Sequence, residues 1–269
     1  MVTVKGIFME KWMCYGSMGV AGLLLLLFLL LTPTFHAATP VMVQPGGPES
    51  ILLNAANVDR ARIGLAPLQW DAALAQAAHQ HALKMAQRNM LSHQFPGEPP
   101  LQQRATQTGA RFSVIAENVA EGSSVPGLHT QWMNSPPHRA NLLDRELNAV
   151  GIAVVQTRGQ LFAVEDFALA VPQLSYSAQE RQVASQLGAS GLRVVNATSD
   201  ARKTCDLDRG YAGQRPGAVV RFETSDLSRL PDDVDAKLQT GRFHAAAVGA
   251  CEAGGAVGFT RFRIAVLLY

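Results

Sequence analysis

The sequence carries little charge, and that charge is scattered along the chain. Only 16% of its 269 residues are Asp, Glu, Lys or Arg, and the formal net charge is +2. No run or stripe of Lys and Arg occurs, although a surface that binds nucleic acid would require one. We therefore exclude nucleic acid as a partner.

Cysteine is also scarce, with three residues in the chain. Cys14 precedes the apolar run Met18–Leu31 instead of closing it, which argues against a lipoprotein anchor. Two lysines before this run and small residues near Ala37 after it are typical of a secretory signal. Because the run is shorter than the roughly 20 residues that span a bilayer, we expect residues 1–38 to be a cleaved signal peptide. An N-terminal anchor formed by residues 18–31 is the alternative.

Export would make the protein secreted, periplasmic or attached to the cell surface. The membrane would then be contacted only through the N-terminal segment, and only if that segment is not cleaved. In an oxidising compartment the two remaining cysteines, Cys205 and Cys251, are expected to form a disulfide. Two buried free thiols are the other interpretation.

Residues 39–49 are rich in Pro and Gly, which predicts a linker. Ser50 is a good N-cap for a helix over Ile51–Ile63. A second helix is predicted over Ala72–Arg88, because Asp71 can cap it and apolar residues recur along one face.

The following segment changes from helical to extended patterns. A short helix is predicted after Pro100, and another over Pro126–Met133. Ala149–Gln156 and Leu161–Leu169 flank a turn-like tetrapeptide, which predicts a hairpin. Helices followed by strands indicate an α+β domain over residues 50–170.

Residues 171–269 are predicted to form a second, smaller and mostly β C-terminal unit. A capping box from Ser177 to Glu180 predicts a helix that Gly188 closes. The predicted strands are Leu192–Val195, Ala218–Glu223, His244–Cys251 and Phe262–Tyr269. This part contains no catalytic motif, and the sequence shows no internal repeat.

Three short motifs contain residues that can carry chemistry: Ser92-His93, Ala116-Glu117-Asn118-Val119 and the segment Trp132–Leu143, which includes His138. Two imidazoles and a carboxylate are ligands that zinc accepts, and three protein ligands leave a position open for water or substrate. The three residues are too far apart to form a local motif such as H-E-x-x-H. Only the fold could bring them together.

In this order, and followed by Asn148–Ile152 and Glu165-Asp166-Phe167, these motifs resemble the CAP superfamily, also called the SCP domain. The form S-P-P-H-R-A-N-L-L is similar to its bacterial branch. The resemblance covers about residues 50–170. It implies a three-layer α-β-α sandwich, an extracellular location, and a cleft of two His and two Glu that can hold a divalent cation such as zinc.

By this resemblance, His93 and His138 match the two cleft histidines and Glu117 matches the first Glu. Ser135 stands where the family has its second Glu, and Ala116 replaces the usual Gly before Glu117. Fewer fixed charges then offset dehydration of an ion, so we expect low occupancy by zinc.

Four further residues are expected to line the cleft: Ser135, Asn118, Arg139 and Asn141. Arg139 is expected to clamp carbonyl groups or Glu117, and Asn141 to fix a loop by hydrogen bonds to the backbone. Nothing resembles the G-x-S-x-G turn that would activate Ser135 as a nucleophile. His81 lies on an apolar helix face and is expected to be a packed core histidine. The alternative to a metal site is that both cleft histidines and Glu117 simply hydrogen-bond one another and the backbone.

The leading hypothesis is a secreted, non-enzymatic CAP-domain protein with the His/Glu cleft as its polar centre. Its ligand would be a small apolar molecule, a cell-wall component or another protein. A metal-assisted hydrolase of peptides or esters is the alternative, with Glu117 as ligand or general base. A third interpretation makes residues 50–170 a scaffold and places the activity in residues 171–269.

Overall fold

The computed structural model describes residues 45–254 and 258–269. The predicted signal peptide or anchor, residues 1–38, therefore lies outside the described residues, as does most of the predicted linker. Within the described ranges, no helix is both long enough and apolar enough to cross a membrane.

The first domain is a four-stranded sheet with helices on both faces. Its elements are α1 (Gly47–Arg62), β1 (Gln69–Trp70), α2 (Ala72–Arg88), α3 (Leu101–Gln107), β2 (Phe112–Gly122), α4 (Val125–Asn134), α5 (Pro136–Leu142), β3 (Ala149–Thr157) and β4 (Gln160–Ala170). The strand order is β1-β3-β4-β2. β1 is parallel to β3, whereas β4 is antiparallel to both of its neighbours.

The alternation of side chains along β4 separates the core into two layers. Phe162 and Val164 pack with Met85 of α2 on one face. Ala163 and Phe167 point to the other face, where they join α1 and α4. The predicted three-layer α-β-α sandwich is thus confirmed.

Two helix starts test the capping predictions. α2 has the predicted bounds, and the side chain of Asp71 accepts hydrogen bonds from the amides of Ala73 and Leu74. α1 instead begins at Gly47, inside the predicted linker, with Gly46 at the N-cap. The assignment of Ser50 as N-cap was therefore wrong.

The predicted hairpin is formed by β3 and β4. Arg158 and Gly159 connect the strands, and both have positive φ, as tight hairpin turns require. Three elements of this domain were not predicted: the two-residue strand β1, the edge strand β2, which carries Glu117, and the helix α5, which carries His138.

The C-terminal unit contains a second four-stranded sheet. Its elements are α6 (Tyr176–Ala189), β5 (Arg193–Val194), α7 (Thr198–Asp206), β6 (Ala218–Thr224), α8 (Asp232–Leu238), β7 (Ala245–Cys251) and β8 (Phe262–Leu268). All four predicted strands are present, whereas α7 and α8 were not predicted. Ser175 caps α6, so the capping box assigned to Ser177 and Glu180 was wrong. The expected disulfide joins Cys205 of α7 to Cys251 of β7.

The two sheets have the same topology, although the sequence shows no repeat. The second sheet has the order β5-β7-β8-β6, with β5 parallel to β7 and β8 antiparallel to both neighbours. In each unit, a glutamate of the first helix accepts a hydrogen bond from a backbone amide of an inner strand. That strand, β3 or β7, is the one that pairs with the two-residue strand. Glu49 binds the Val154 amide at 3.0 Å, and Glu180 binds the Ala250 amide at 3.0 Å.

Each sheet also has a glycine against which a helix backbone packs. A Cβ added to Gly151 of β3 would lie 2.0 Å from the Ala75 nitrogen in α2. A Cβ added to Gly249 of β7 would lie 2.2 Å from the Arg202 nitrogen in α7. Since backbone atoms cannot move aside as a flexible side chain can, the helix must shift if either glycine is replaced.

We expect Gly151→Ala and Gly249→Ala each to lower the free energy of unfolding by about 1–3 kcal/mol or more, the cost of overpacking a close-packed interior. Urea unfolding measures this change. Gly188→Ala is the control, because Gly188 lies in α6 with open space around its Cα. This variant should be more stable than the wild type by about 0.5–1 kcal/mol. Equal effects at all three glycines would contradict the packing argument.

Candidate functional site

Three side chains predicted from the sequence, His93, Glu117 and His138, lie close together at the predicted cleft. His93 lies in the loop after α2 with its side chain 59% exposed, and its Nδ1 is 2.9 Å from Glu117 Oε1. His138, in α5, has its ring centroid 6.3 Å from that of His93. Glu117 is buried in the edge strand β2. The site is therefore a pair of adjacent imidazoles, one of which is hydrogen-bonded to a buried carboxylate.

Two asparagines connect α5 to β2. The side-chain amide of Asn118 donates to the backbone oxygen of His138 at 3.1 Å, and that of Asn141 donates to Asn118 Oδ1 at 2.9 Å. Asn141 also reaches the backbone oxygen of Glu117 at 3.4 Å. These bonds fix the helix that carries His138 to the strand that carries Glu117, which is the backbone role expected for Asn141.

Arg104 of α3 is a site residue that the sequence analysis missed. Its side chain is 3% exposed, and its guanidinium forms a buried ion pair with Glu117 Oε2. It also donates to the backbone oxygen of His93 at 3.0 Å. Both carboxylate oxygens of Glu117 are consequently engaged, one by His93 and the other by Arg104.

Arg139 and Ser135 were also expected to line the cleft, but neither contacts the carboxylate of Glu117. Arg139 is exposed, and among the described residues its side chain makes no hydrogen bond, so its assignment as the clamp of Glu117 was wrong. Arg104 has that role. Ser135 lies between α4 and α5 at the N-cap of the latter. Its hydroxyl makes no hydrogen bond to a histidine within the described ranges.

His81 anchors the loop that carries His93. Its side chain is fully buried. Its Nδ1 lies 2.9 Å from Glu98 Oε1, and its Nε2 lies 2.7 Å from the backbone oxygen of Ser92. The structure thus shows the packed core histidine that was predicted. Burial opposes ionisation of Glu98, but hydrogen bonds from His81, the Phe95 amide and Lys84 lower the pKa of Glu98 to about 2.

Two fully buried acids lie beside the cleft in β4. Asp166 is paired in register with Glu117, and Glu165 with Asn118. Burial raises the pKa of Glu165 to about 8, although Asn118 donates to it at 3.3 Å. Burial, followed by the charge of Glu117, also raises the pKa of Asp166, against the effect of Arg104. Burial therefore favours the uncharged form of both acids, whereas Arg104 forms ion pairs with Glu117 and, at 3.7 Å, with Glu98.

The pKa values of the two cleft imidazoles are shifted in opposite directions. The hydrogen bond to Glu117 raises the pKa of His93, although burial opposes this. Burial, followed by the charge of His93, lowers the pKa of His138. As pH falls towards acidity, His93 therefore takes up a proton before His138 does.

The donor types of the cleft suit a divalent cation, but their present arrangement is not a closed site. Neutral imidazoles and a carboxylate are ligands that zinc accepts. Within residues 45–254 and 258–269, however, no three His, Cys, Asp or Glu side chains converge so as to hold an ion. An ion bound by Glu117 would share the carboxylate with His93 and Arg104, which each occupy one of its oxygens.

With this geometry established, comparison with known proteins defines the class. The model of the cysteine-rich secretory protein family, CAP, matches residues 53–167. The matched stretch includes His93, Glu117, His138 and the strands β1 to β4 up to Phe167. These residues belong to the CAP superfamily, in its bacterial branch, so the resemblance inferred from the three motifs is confirmed.

Two curated relatives come from Bacillus subtilis (strain 168). The chain is similar to the uncharacterized protein YkwD, with 29% identity over 110 residues, covering 40% of this chain and 43% of YkwD. It is also similar to the uncharacterized membrane protein YlbC, with 32% identity over 107 residues, covering 39% of this chain and 31% of YlbC. The chain spans less than half the length of either relative.

Two solved structures are also similar. An outer surface protein from Borrelia burgdorferi has a TM-score of 0.43 and 22% identity, covering 46% of this chain and 92% of that protein. An extracellular protein containing a SCP domain from Bacillus anthracis str. Ames has a TM-score of 0.42 and 28% identity, covering 44% and 39% of the two chains.

The buried Glu165 leads to a prediction about stability and pH. In the unfolded chain it ionises near its ordinary pKa of 4.5, whereas in the folded protein its pKa is about 8. Its contribution to folding is therefore greatest below pH 4.5 and is lost as pH rises towards 8. Glu165→Gln keeps the hydrogen bond from Asn118 but has no group that titrates at this position. The free energy of unfolding of this variant, relative to that of the wild type, should therefore increase as pH rises from 4.5 to about 8.

Urea unfolding at a series of pH values measures this difference. Glu121→Gln is the matched control, because Glu121 lies in β2 and is exposed. It should show no such trend. Parallel curves for the wild type and Glu165→Gln would show that Glu165 ionises in the folded protein much as it does in the unfolded chain.

Proposed function

We propose that the protein is an exported CAP-domain binding protein whose ligand site is centred on the His93, Glu117 and His138 cleft. The supporting observation is the pairing of two accessible imidazoles with a buried, charge-balanced carboxylate. Among the described residues, no serine, threonine or cysteine side chain is hydrogen-bonded to either imidazole. The cleft therefore offers donors and acceptors to a ligand, in the form of a small apolar molecule, a cell-wall component or a protein.

We also propose that the cleft binds a divalent cation such as zinc weakly. His93 and His138 would hold the ion, and Glu117 would be the third ligand. A bound zinc ion would supply Lewis acidity and an open coordination position. The competing ion pair between Arg104 and Glu117 is the reason for the low affinity.

A metal-assisted hydrolase is the less favoured function. A general base must have a free oxygen within reach of the water whose proton it accepts. In this cleft Glu117 Oε1 is bound to His93 and Oε2 to Arg104. Metal-dependent hydrolysis of a peptide or ester that is abolished in His138→Ala but kept in His79→Ala would overturn the proposal of a binding protein.

Zinc binding can be tested with matched histidine variants. We expect calorimetry to show weak binding of zinc to the wild type, and His138→Ala to weaken it roughly tenfold or more, by analogy with losses in other metal sites. His79→Ala is the control, because His79 is exposed on α2 and belongs to no part of the cleft. Equal zinc affinity in both variants would exclude the imidazole pair as the site.

The protonation order of the two histidines is a separate prediction. Because Glu117 raises the pKa of His93 and burial lowers that of His138, the imidazole resonances in NMR should titrate at a higher pH for His93. In Glu117→Gln the pKa of His93 should fall, since the amide bears no negative charge to stabilise the imidazolium. The His79 resonance serves as the internal control. Identical titration of His93 before and after the substitution would refute the hydrogen bond as the cause.

A further inference from the structure

We infer that the C-terminal unit is a second core of the CAP topology that lacks the cleft, and that it braces α3, the helix that holds Arg104 against Glu117. The inference assigns a role to residues 171–269. It rests on the proposed function only in that the braced cleft is taken to be the ligand site.

The strand registers show which positions of the two sheets correspond. In the first sheet Gly151 pairs with Asp166, which pairs with Glu117. In the second sheet Gly249 pairs with Ala265, which pairs with Arg221. The positions of Glu117, Asn118, Glu165 and Asp166 are therefore occupied in the second sheet by Arg221, Phe222, Ile264 and Ala265. None of the polar residues that the cleft takes from its strands is present.

The histidines of the cleft have no counterparts either. His244 is the only histidine in residues 171–269, so this unit cannot supply a pair of imidazoles. Arg221, at the position of Glu117, donates to the backbone oxygens of Thr204 and Gly210. Its guanidinium thus fixes a loop of its own unit, and the described residues of the second core form no site equivalent to the cleft.

The loop between β7 and β8 instead contacts the first domain beside its cleft. The Thr260 amide donates to the Phe112 oxygen, at the start of β2, at 2.8 Å. The rings of Phe259 and Phe112 meet edge to face with centroids 5.6 Å apart. The hydroxyl of Thr106 in α3, which donates to the Gln102 backbone oxygen at 2.7 Å, also lies 3.1 Å from the Gly258 oxygen. Residues 258–260 therefore contact both α3 and the strand that carries Glu117.

Two properties of α3 make these contacts important. It has seven residues, and helices this short are not stable in water by themselves. Its buried residues are Arg104, which forms the ion pair to Glu117, and Ala105, which packs in the apolar cluster of Leu74 and Phe112. The contacts of residues 258–260 hold its outer side. Movement of α3 would carry Arg104 away from both Glu117 and the His93 backbone.

The fit between Gly258 and α3 is close. A Cβ at Gly258 would lie 3.1 Å from Gln102 Cγ and 3.3 Å from the Gln102 backbone oxygen. Gly258 also has a φ of 100°, which other residues rarely adopt. The glycine therefore allows the loop to approach the helix at this point.

Phe259 provides the test, because it belongs to the C-terminal unit and lies outside the cleft. In the full chain, we expect Phe259→Ala to accelerate amide hydrogen exchange from Ala105 to Ala110 roughly tenfold, as local loosening does. Exchange in α2 and α7 should keep its wild-type rates, and the imidazole resonances of His93 should shift. Phe259→Leu, which keeps apolar bulk against Phe112, should restore most of the protection.

Tyr211→Ala is the matched control, since Tyr211 is an aromatic residue of the same unit and is similarly exposed, at 43% against 37% for Phe259. It should leave α3 unchanged. Wild-type exchange in α3 of Phe259→Ala, or equal acceleration in all helices, would overturn the brace. If α3 loosens while the wild type binds no zinc and no ligand, the brace stands and the proposed function fails.

Discussion

The ion pair between Arg104 and Glu117 is the interaction on which the cleft depends. Both side chains are almost fully buried, and a buried charge is stable only when it is paired and hydrogen-bonded. The same guanidinium binds the backbone of His93, so one residue fixes the carboxylate and the loop of the adjacent imidazole. Removing it would leave Glu117 as an uncompensated charge inside the domain. The local order of the site therefore follows from α3, a helix that contains none of the three recognised residues.

The register of β4 extends this constraint through the sheet. Asp166 and Glu165 are neighbours, so they point to opposite faces. Asp166 lies opposite Glu117, on the side of Arg104, whereas Glu165 accepts from Asn118, which binds the backbone of His138. Because burial favours the protonated form of both acids, the guanidinium of Arg104 faces the charge of Glu117 more than that of Asp166. The two sides of the cleft are thus connected through one strand.

The sequence predicts those features whose signal is local. The N-cap Asp71 and the helical spacing of apolar residues predict α2, and the three motifs identify His93, Glu117 and His138. β2 was missed because buried Glu117 and Asn118 interrupt the apolar alternation expected of a strand. α5 was missed because two successive prolines, Pro136 and Pro137, usually indicate the end of a helix, although proline is also suited to the first helical turn that follows an N-cap. Arg104 could not be found by spacing, since only the tertiary fold brings α3 to β2.

The comparison of the two sheets separates the residues that the fold requires from those that the site requires. Both units keep a glycine under a helix and a carboxylate that binds an amide of the strand beside the two-residue strand, because a two-residue parallel strand leaves the amides beyond it without a strand partner. The buried acids occur only in the first sheet, where each must be kept neutral or paired. Ile264 and Ala265 fill the same positions in the second sheet without any polar partner. The framework therefore does not need Glu165, Asp166 or Glu117, and the cost of burying these three acids is best explained by a role for the cleft itself.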